Sequence, residues 1–179
     1  TGSSAASSTV GLFVPAGPVR EIDTRQAAQG PVLRAATRRD VGLHAPAGVG
    51  STQLAMAAVN LTVTGTSDGL YLTAYPARTE RPGTSNVNAD RADQTVAAFG
   101  LVPLGAGAAM SVWPSRSTDA IVDVAGFFLG SPTAADPDVA PTAPTDQGSP
   151  PIAAFDTVIS NFLDFLAIPG ASVAVAKEG

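Results

Sequence analysis

Three of the side-chain types that most often carry catalysis, Cys, His and Lys, are absent or nearly absent from this sequence. The 179 residues include no Cys, a single His and a single Lys, which excludes thiol nucleophiles, disulfides, iron–sulfur clusters and Cys/His zinc sites. His44 could join a Ser–His–Asp triad only if a strand-to-helix turn exposed the serine, and no helix is predicted between residues 11 and 130. We therefore interpret His44 as a solvated loop histidine and expect no catalytic residue in this chain.

Two pairs of polar side chains are spaced two residues apart: Asp23 with Arg25, and Asn86 with Asn88. In an extended backbone each pair lies on one face of a strand. One interpretation is a pocket that grips a sugar or a peptide. The other, which we favour, is a buried structural network in which Arg25 forks onto Asp23 or Asp123 while the Asn amides hold loops in place.

Four aspartates are the plausible ligands for a hard cation, namely Asp90, Asp93, Asp119 and Asp123. Calcium takes six or more oxygens from a compact loop, and the spacing of these residues does not match an EF-hand. We assign Asp119 and Asp123 to the structural polar network instead, and we expect no metal ion and no other cofactor.

Three aromatic residues are candidates for ligand binding. Tyr71 and Tyr75 share one face of a predicted strand, and Trp113 follows a similar, half-exposed strand. Flat aromatic rings on an exposed sheet face are suited to stacking on sugar rings. The alternative is that these rings simply cover the sheet, so the three residues predict either a carbohydrate site or a shielded face.

The elements that carry these side chains are predicted to be short strands. Residues 57–64 alternate between apolar and polar side chains, and 70–75 resume this pattern after a turn at 67–69, which predicts a hairpin. Residues 95–102 are apolar on both faces, which predicts a central strand. The other candidate strands are 11–14, 19–23, 85–88, 108–113 and 118–129.

The spacing of these strands predicts an all-β fold over residues 11–130, either a two-sheet β-sandwich or a jelly roll. Residues 26–50 are predicted to form a long crossing loop or a weak strand.

Nine Arg balance nine acidic residues within 11–130, so no basic stripe favours nucleic acid. No apolar run is long enough to span a membrane.

The chain outside 11–130 has a different character. Residues 1–10 predict a flexible leader, and 131–151, with six prolines, predict an extended linker. The apolar residues of 152–166 have helical spacing, and 171–176 predict a strand. One helix and one strand cannot enclose a core, so we expect 152–179 to be the truncated start of a second domain.

The region 11–130 resembles a β-rich module that recurs in secreted actinobacterial proteins. Five segments carry the likeness in order: 14–25 (VPAGPVREIDTR), 58–64 (AVNLTVT), 69–77 (GLYLTAYPA), 81–88 (RPGTSNVN) and 117–128 (STDAIVDVAGFF). This resemblance implies an exported or envelope-associated protein and assigns no activity.

The end of the chain resembles the opening of the serine β-lactamase and penicillin-binding-protein superfamily, in its class C, esterase and carboxypeptidase branch. The likeness covers the predicted helix at 155–166 and the stretch 168–179 (IPGASVAVAKEG). The nucleophile of that superfamily lies in a Ser-x-x-Lys motif. Lys177 is preceded three residues earlier by Ala174, so the resemblance implies a serine hydrolase downstream and carries no catalytic residue onto this chain.

These observations predict a non-catalytic accessory module of a secreted β-lactamase-like serine hydrolase. Its expected partners are cell-wall or other polysaccharide and the downstream hydrolase domain, and no nucleic acid. An alternative is a structural module that packs against copies of itself or against the hydrolase domain. A third hypothesis is ester hydrolysis by this chain itself through His44.

Overall fold

The computed structural model describes residues 11–139, and these residues form an all-β fold. Eight strands account for the regular structure: β1 (Phe13–Asp23), β2 (Arg39–Gly42), β3 (Leu54–Thr64), β4 (Leu70–Pro76), β5 (Val87–Ala89), β6 (Val96–Pro103), β7 (Ala109–Pro114) and β8 (Asp119–Leu129). Short 3-10 turns cover Ala27–Gln29 and Ser51–Gln53. Within 11–139 no helix is long and apolar enough to cross a membrane.

The strands form two antiparallel sheets of four strands each. The first sheet has the order β1-β8-β3-β6, and the second has the order β2-β7-β4-β5. The β4–β5 connection stays within one sheet, and every other connection between these strands passes to the opposite sheet. This is the strand order of an eight-stranded jelly roll. The prediction of an all-β fold with two sheets is confirmed.

The core lies between the two sheets and is built from the inward side chains of both. Alternation along each strand sends every second residue inward, which buries one apolar row per strand. The largest fully buried side chains include Leu61 and Val63 from β3, Leu72 from β4, Met110 and Val112 from β7, and Phe127 from β8. Burial of one such side chain contributes about 1.5–3 kcal/mol.

The predicted hairpin of 57–64 with 70–75 is wrong. Both segments are strands, but β3 pairs with β6 and β8 in the first sheet, whereas β4 pairs with β5 and β7 in the second. The turn at 67–69 therefore belongs to a connection that crosses from one sheet to the other. Alternation fixes which face of each strand is buried, and it leaves the choice of partner open.

The predicted central position of 95–102 is also wrong, because β6 is the edge strand of the first sheet. Its alternate side chains from Ala97 to Pro103 are exposed although they are apolar, and Phe99 is 65% exposed. Within residues 11–139, one face of β6 is therefore exposed although its side chains are apolar.

Several other elements differ in detail from the sequence predictions. The candidate strands 11–14 and 19–23 are parts of one strand, β1, whose register with β8 shifts between Pro15 and Val19. The stretch 26–50 contains both a long loop and the short strand β2. The proposed leader 1–10, the helix at 152–166 and the strand at 171–176 lie outside the described residues.

The first nine residues of the predicted linker, 131–139, are attached to the sandwich. The backbone N–H of Thr133 donates to the carbonyl of Leu104 at 2.7 Å, and that of Asp136 donates to the carbonyl of Arg78 at 2.7 Å. The remainder of the linker, 140–151, lies outside the described residues. Thr133 and Asp136 therefore lie beside the β6–β7 and β4–β5 connections, respectively.

Candidate functional site

The candidate binding surface is the outer face of the second sheet. Tyr71, Thr73 and Tyr75 point outward from β4, because Leu70, Leu72 and Ala74 belong to the core. The register of β4 with β7 places Trp113 opposite Thr73 and Ser111 opposite Tyr75. The three aromatic residues named from the sequence thus share one sheet face, which is here called the aromatic face (Tyr71, Tyr75 and Trp113).

Tyr71 and Trp113 form a ring pair on this face. Their ring centroids are 5.7 Å apart, and the ring planes are tilted by 33°. Tyr71 is 37% exposed and Trp113 is half-buried. The Arg81 guanidinium lies over the Trp113 ring, 4.1 Å from its centroid, which is a favourable cation–π geometry. Tyr71 is therefore the more accessible of the two rings.

The β4–β5 connection, which carries Arg81, is tied back to the outer side of β4. The Thr73 hydroxyl donates to the carbonyl of Thr84 at 2.7 Å, and the backbone N–H of Ala74 donates to the Asn86 side-chain carbonyl at 2.7 Å. Thr73 is fully buried. Asn86, one of the polar residues named from the sequence, thus fixes this loop rather than facing a ligand.

Tyr75 lies on the aromatic face but is only 3% exposed. It is therefore not accessible to a stacked sugar ring. Burial raises the pKa of its phenol, and the charges of Arg38, Asp40 and Arg81 act on it more weakly. Sequence alternation identified the face correctly, and it could not reveal that Tyr75 is buried on that face.

A polar cluster lies next to Tyr75 on the same face. The Ser111 hydroxyl donates to Asp40 Oδ1 at 2.6 Å, and Arg38 Nε lies 3.2 Å from the same oxygen. The Asp40 side chain is 9% exposed, and among the described residues its Oδ2 atom has no hydrogen-bond partner. Buried carboxylate oxygens normally accept hydrogen bonds, so water or a ligand hydroxyl is the expected donor to Asp40 Oδ2.

An open depression of about 610 Å³ adjoins Tyr71. Its lining includes four polar residues, Asn88, Asp90, Ser115 and Arg116. The Ser115 hydroxyl oxygen accepts a hydrogen bond from the backbone N–H of Tyr71 at 2.9 Å. Four polar residues therefore line the same depression as the exposed Tyr71.

Asn88 belongs to this lining, unlike Asn86. It lies on β5 directly opposite Tyr71 and is exposed, and its side-chain oxygen accepts a hydrogen bond from the Ser85 hydroxyl at 2.9 Å. The two asparagines thus differ in what they do: Asn86 holds a loop, and Asn88 stands beside the exposed ring.

Asp23 and Arg25 form a tight pair at the end of β1. Arg25 Nε donates to Asp23 Oδ1 at 2.7 Å, and Arg25 Nη2 donates to Asp23 Oδ2 at 2.6 Å. The Asp23 side chain is fully buried. The hydrogen bond from Arg25 holds the pKa of Asp23 at about 2, against an ordinary value of 3.8. Arg25 therefore makes bidentate hydrogen bonds to Asp23, the first of the two partners predicted from the sequence.

Asp123 is held by a different arginine, Arg20, which sequence reasoning missed. Arg20 Nε and Nη2 donate to the two Asp123 oxygens at 2.8 and 3.2 Å, and Arg20 Nη1 lies 3.3 Å from Asp23 Oδ2. The register places Arg20 directly opposite Asp123. Nothing in the local sequence identifies that pairing, because it depends on β1 lying beside β8.

Asp119 completes the connection between β1 and β8. The Thr24 hydroxyl donates to Asp119 Oδ1 at 2.7 Å and accepts a hydrogen bond from the backbone N–H of Ala120 at 2.9 Å. Asp23, Arg25, Asp119 and Asp123 are thus engaged with neighbouring protein groups. This arrangement anchors the end of β1.

His44 pairs with the carboxylate of Glu21. Its backbone N–H donates to Glu21 Oε1 at 2.9 Å, and its Nδ1 lies 2.6 Å from Glu21 Oε2. Residues 65–69 (GTSDG) have the Gly-x-Ser-x-Gly spacing, but they connect β3 to β4 and not a strand to a helix. His44 contacts Glu21 of β1, whereas Ser67 lies in the β3–β4 connection.

Within residues 11–139 no group of three or more His, Asp or Glu side chains is arranged to hold a metal ion. No known protein-family model matches the chain, and a search of curated proteins finds no relative.

Proposed function

We propose that residues 11–130 form a non-catalytic accessory module that binds carbohydrate of the cell envelope through the aromatic face. The observation that carries this proposal is the exposed Tyr71 ring, paired with Trp113 at 5.7 Å and bordered by the polar depression. Carbohydrate sites in proteins combine an aromatic platform with hydrogen-bonding groups around it. This combination is what the outer face of the second sheet offers.

In this proposal the apolar face of one sugar ring stacks on Tyr71. The sugar hydroxyls then hydrogen-bond to the groups that line the depression, namely Asn88, Asp90, Ser115 and Arg116. Trp113 supports Tyr71 from the side, and Arg81 keeps the Trp113 ring in place by stacking on it. Tyr75 has no direct contact with the sugar and acts as a buried support for the sheet.

We further propose that the module serves an exported serine hydrolase whose domain begins near residue 152. The resemblance of 155–179 to the β-lactamase and penicillin-binding-protein superfamily supports this assignment. A Pro-rich stretch extends about 3.1 Å per residue, so the twelve residues 140–151 would span about 37 Å. That length is sufficient to let the hydrolase domain act on a polymer that the module holds.

The test is retention of the purified full chain on insoluble peptidoglycan, chitin and cellulose. We expect retention on at least one of these, loss of retention for Tyr71→Ala, and retention for Tyr71→Phe, which keeps the ring. Phe13→Ala is the matched control, because Phe13 is an exposed aromatic residue of the first sheet. Failure of the wild-type chain to bind any of the three polymers would reject the carbohydrate proposal.

A further inference from the structure

The backbone of β6 has hydrogen-bonding groups that no other described strand uses. The N–H of Leu104 donates to the carbonyl of Ala55 on the β3 side at 2.9 Å. Bonding to a neighbouring strand alternates from residue to residue in an antiparallel pair. Val102, Gly100 and Ala98 therefore bond to β3, and the N–H and C=O groups of Ala97, Phe99 and Leu101 point away from the sheet.

The side chains of the same strand are apolar and exposed. Phe99 is 65% exposed and Leu101 is 50% exposed, both on the outer face of the first sheet. Val96–Pro103 contains no charged residue. Natural edge strands are normally protected from pairing by charges, prolines, bulges or short length, and β6 has only the proline at its last position.

The other three sheet edges carry such protection. β1 contains Pro15 and Pro18, two register shifts and the charged residues Arg20 and Glu21. β2 has four residues and β5 has three. Among the strands of residues 11–139, β6 is thus the one long edge that is open to a further strand.

We propose that β6 pairs antiparallel with β6 of a second copy of this chain, about a two-fold axis at Gly100. This inference goes beyond carbohydrate binding and does not depend on it. The outward N–H and C=O groups of an edge strand can be satisfied by the backbone of an added strand. Two copies of the same strand pair antiparallel when a two-fold axis relates them. Because β6 is uncharged, the second copy meets no like-charge repulsion along the seam.

This register makes the exposed apolar residues complementary. Phe99 lies opposite the partner subunit's Leu101, and Leu101 lies opposite the partner subunit's Phe99, so the same contact forms twice. An aromatic residue opposite an aliphatic one stabilises an antiparallel pair by about 0.2–1 kcal/mol relative to two alanines. Gly100 lies opposite its own copy, in a pair without backbone hydrogen bonds, where Cα atoms are about 4.5 Å apart.

The first test measures the mass of the full chain in solution by light scattering over a concentration series. We expect a twofold higher mass at high concentration for wild type and the monomer mass for Phe99→Lys, since a lysine on an edge strand opposes pairing. Phe13→Lys is the matched control and is expected to dimerise like wild type, because Phe13 is an exposed aromatic residue at the opposite edge. A wild-type chain that stays monomeric, or a dimer that Phe99→Lys leaves intact, would overturn the proposal.

The second test uses the absence of cysteine from the sequence. A Cβ atom added at Gly100 meets nothing within 4 Å, and the expected Cα separation lies within the range of disulfides. Oxidised Gly100→Cys should therefore run as a covalent dimer. Gly83→Cys, also with nothing within 4 Å of its Cβ, should form no covalent dimer, because position 83 lies outside β6. Failure of Gly100→Cys to cross-link under oxidation would contradict the antiparallel pairing about Gly100.

Discussion

Arg25 clamps the buried carboxylate of Asp23 with two parallel hydrogen bonds of 2.7 and 2.6 Å. Arg20 approaches the same carboxylate from β1 and binds Asp123 of β8 with its other nitrogens. The last residues of β1 are therefore fixed to the neighbouring strand by charge-assisted hydrogen bonds, which are about twice as strong as neutral ones. This cluster stabilises the fold at the edge of the first sheet.

The Asp23 cluster should make the fold sensitive to acid. The pKa of Asp23 is about 2 in the folded chain and near 3.8 when it is free of its partners. A depressed pKa stabilises the folded state above the ordinary value, and this stabilisation is lost as the pH falls from about 4 to about 2. Urea unfolding measured between pH 5 and pH 2 should show the free energy of unfolding falling over that range.

The matched variants for the acid experiment are Asp23→Asn and Asp68→Asn. Asp23→Asn should lower stability at neutral pH and flatten the decline between pH 4 and pH 2. Asp68 forms an exposed ion pair with Arg116 at 3.4 Å, which contributes little in water. Asp68→Asn should therefore keep the wild-type pH dependence, and an equal flattening in both variants would contradict the role of Asp23.

A second prediction concerns the close approach of Gly105 to Ala77. A Cβ atom at position 105 would meet the carbonyl oxygen of Ala77 and lie 3.0 Å from its nitrogen. Since both are backbone atoms, the strain cannot be relieved by a side-chain rotation. Gly105→Ala should lower the free energy of unfolding by about 1–3 kcal/mol, measured by thermal or urea denaturation. Gly83→Ala has open space around the added methyl group, and a comparable loss in that variant would count against the explanation.

A third prediction concerns the stack of Arg81 on Trp113. Trp113 is the single tryptophan of the chain, so its fluorescence reports this site alone. Arg81→Ala should expose the indole to water and shift its emission to longer wavelength, with a loss of about 0.5–1 kcal/mol of stability. Arg34→Ala, which removes an exposed arginine from the β1–β2 connection, should leave the emission unchanged. An unshifted spectrum for Arg81→Ala would mean that Arg81 does not shield the ring in solution.

Sequence periodicity predicted strands better than it predicted their partners. The alternation in 57–64 and 70–75 identified β3 and β4 and the buried face of each. It could not assign them to different sheets, because pairing depends on contacts between residues far apart in the chain. The same limit explains the wrong prediction of a central position for β6. Apolar composition on both faces does not indicate whether the strand has a neighbour on each side.

The candidate site shows the same division between local and long-range information. Tyr71 and Trp113 were identified from residue type and strand parity, and they do share a face. Tyr75 is buried, and the charged groups that act on it, Arg38, Asp40 and Arg81, lie outside its own strand. Arg20 was missed because its partner Asp123 lies 103 residues away.

The most direct test of the account is a titration of Trp113 fluorescence with soluble fragments of the polymer that retains the chain. We predict a saturable change in emission for wild type and for Tyr71→Phe. For Tyr71→Ala, we predict affinity weakened about tenfold, equivalent to about 1.4 kcal/mol. Emission that stays constant with peptidoglycan, chitin and cellulose oligosaccharides, in a chain shown to be folded, would contradict carbohydrate binding by the aromatic face.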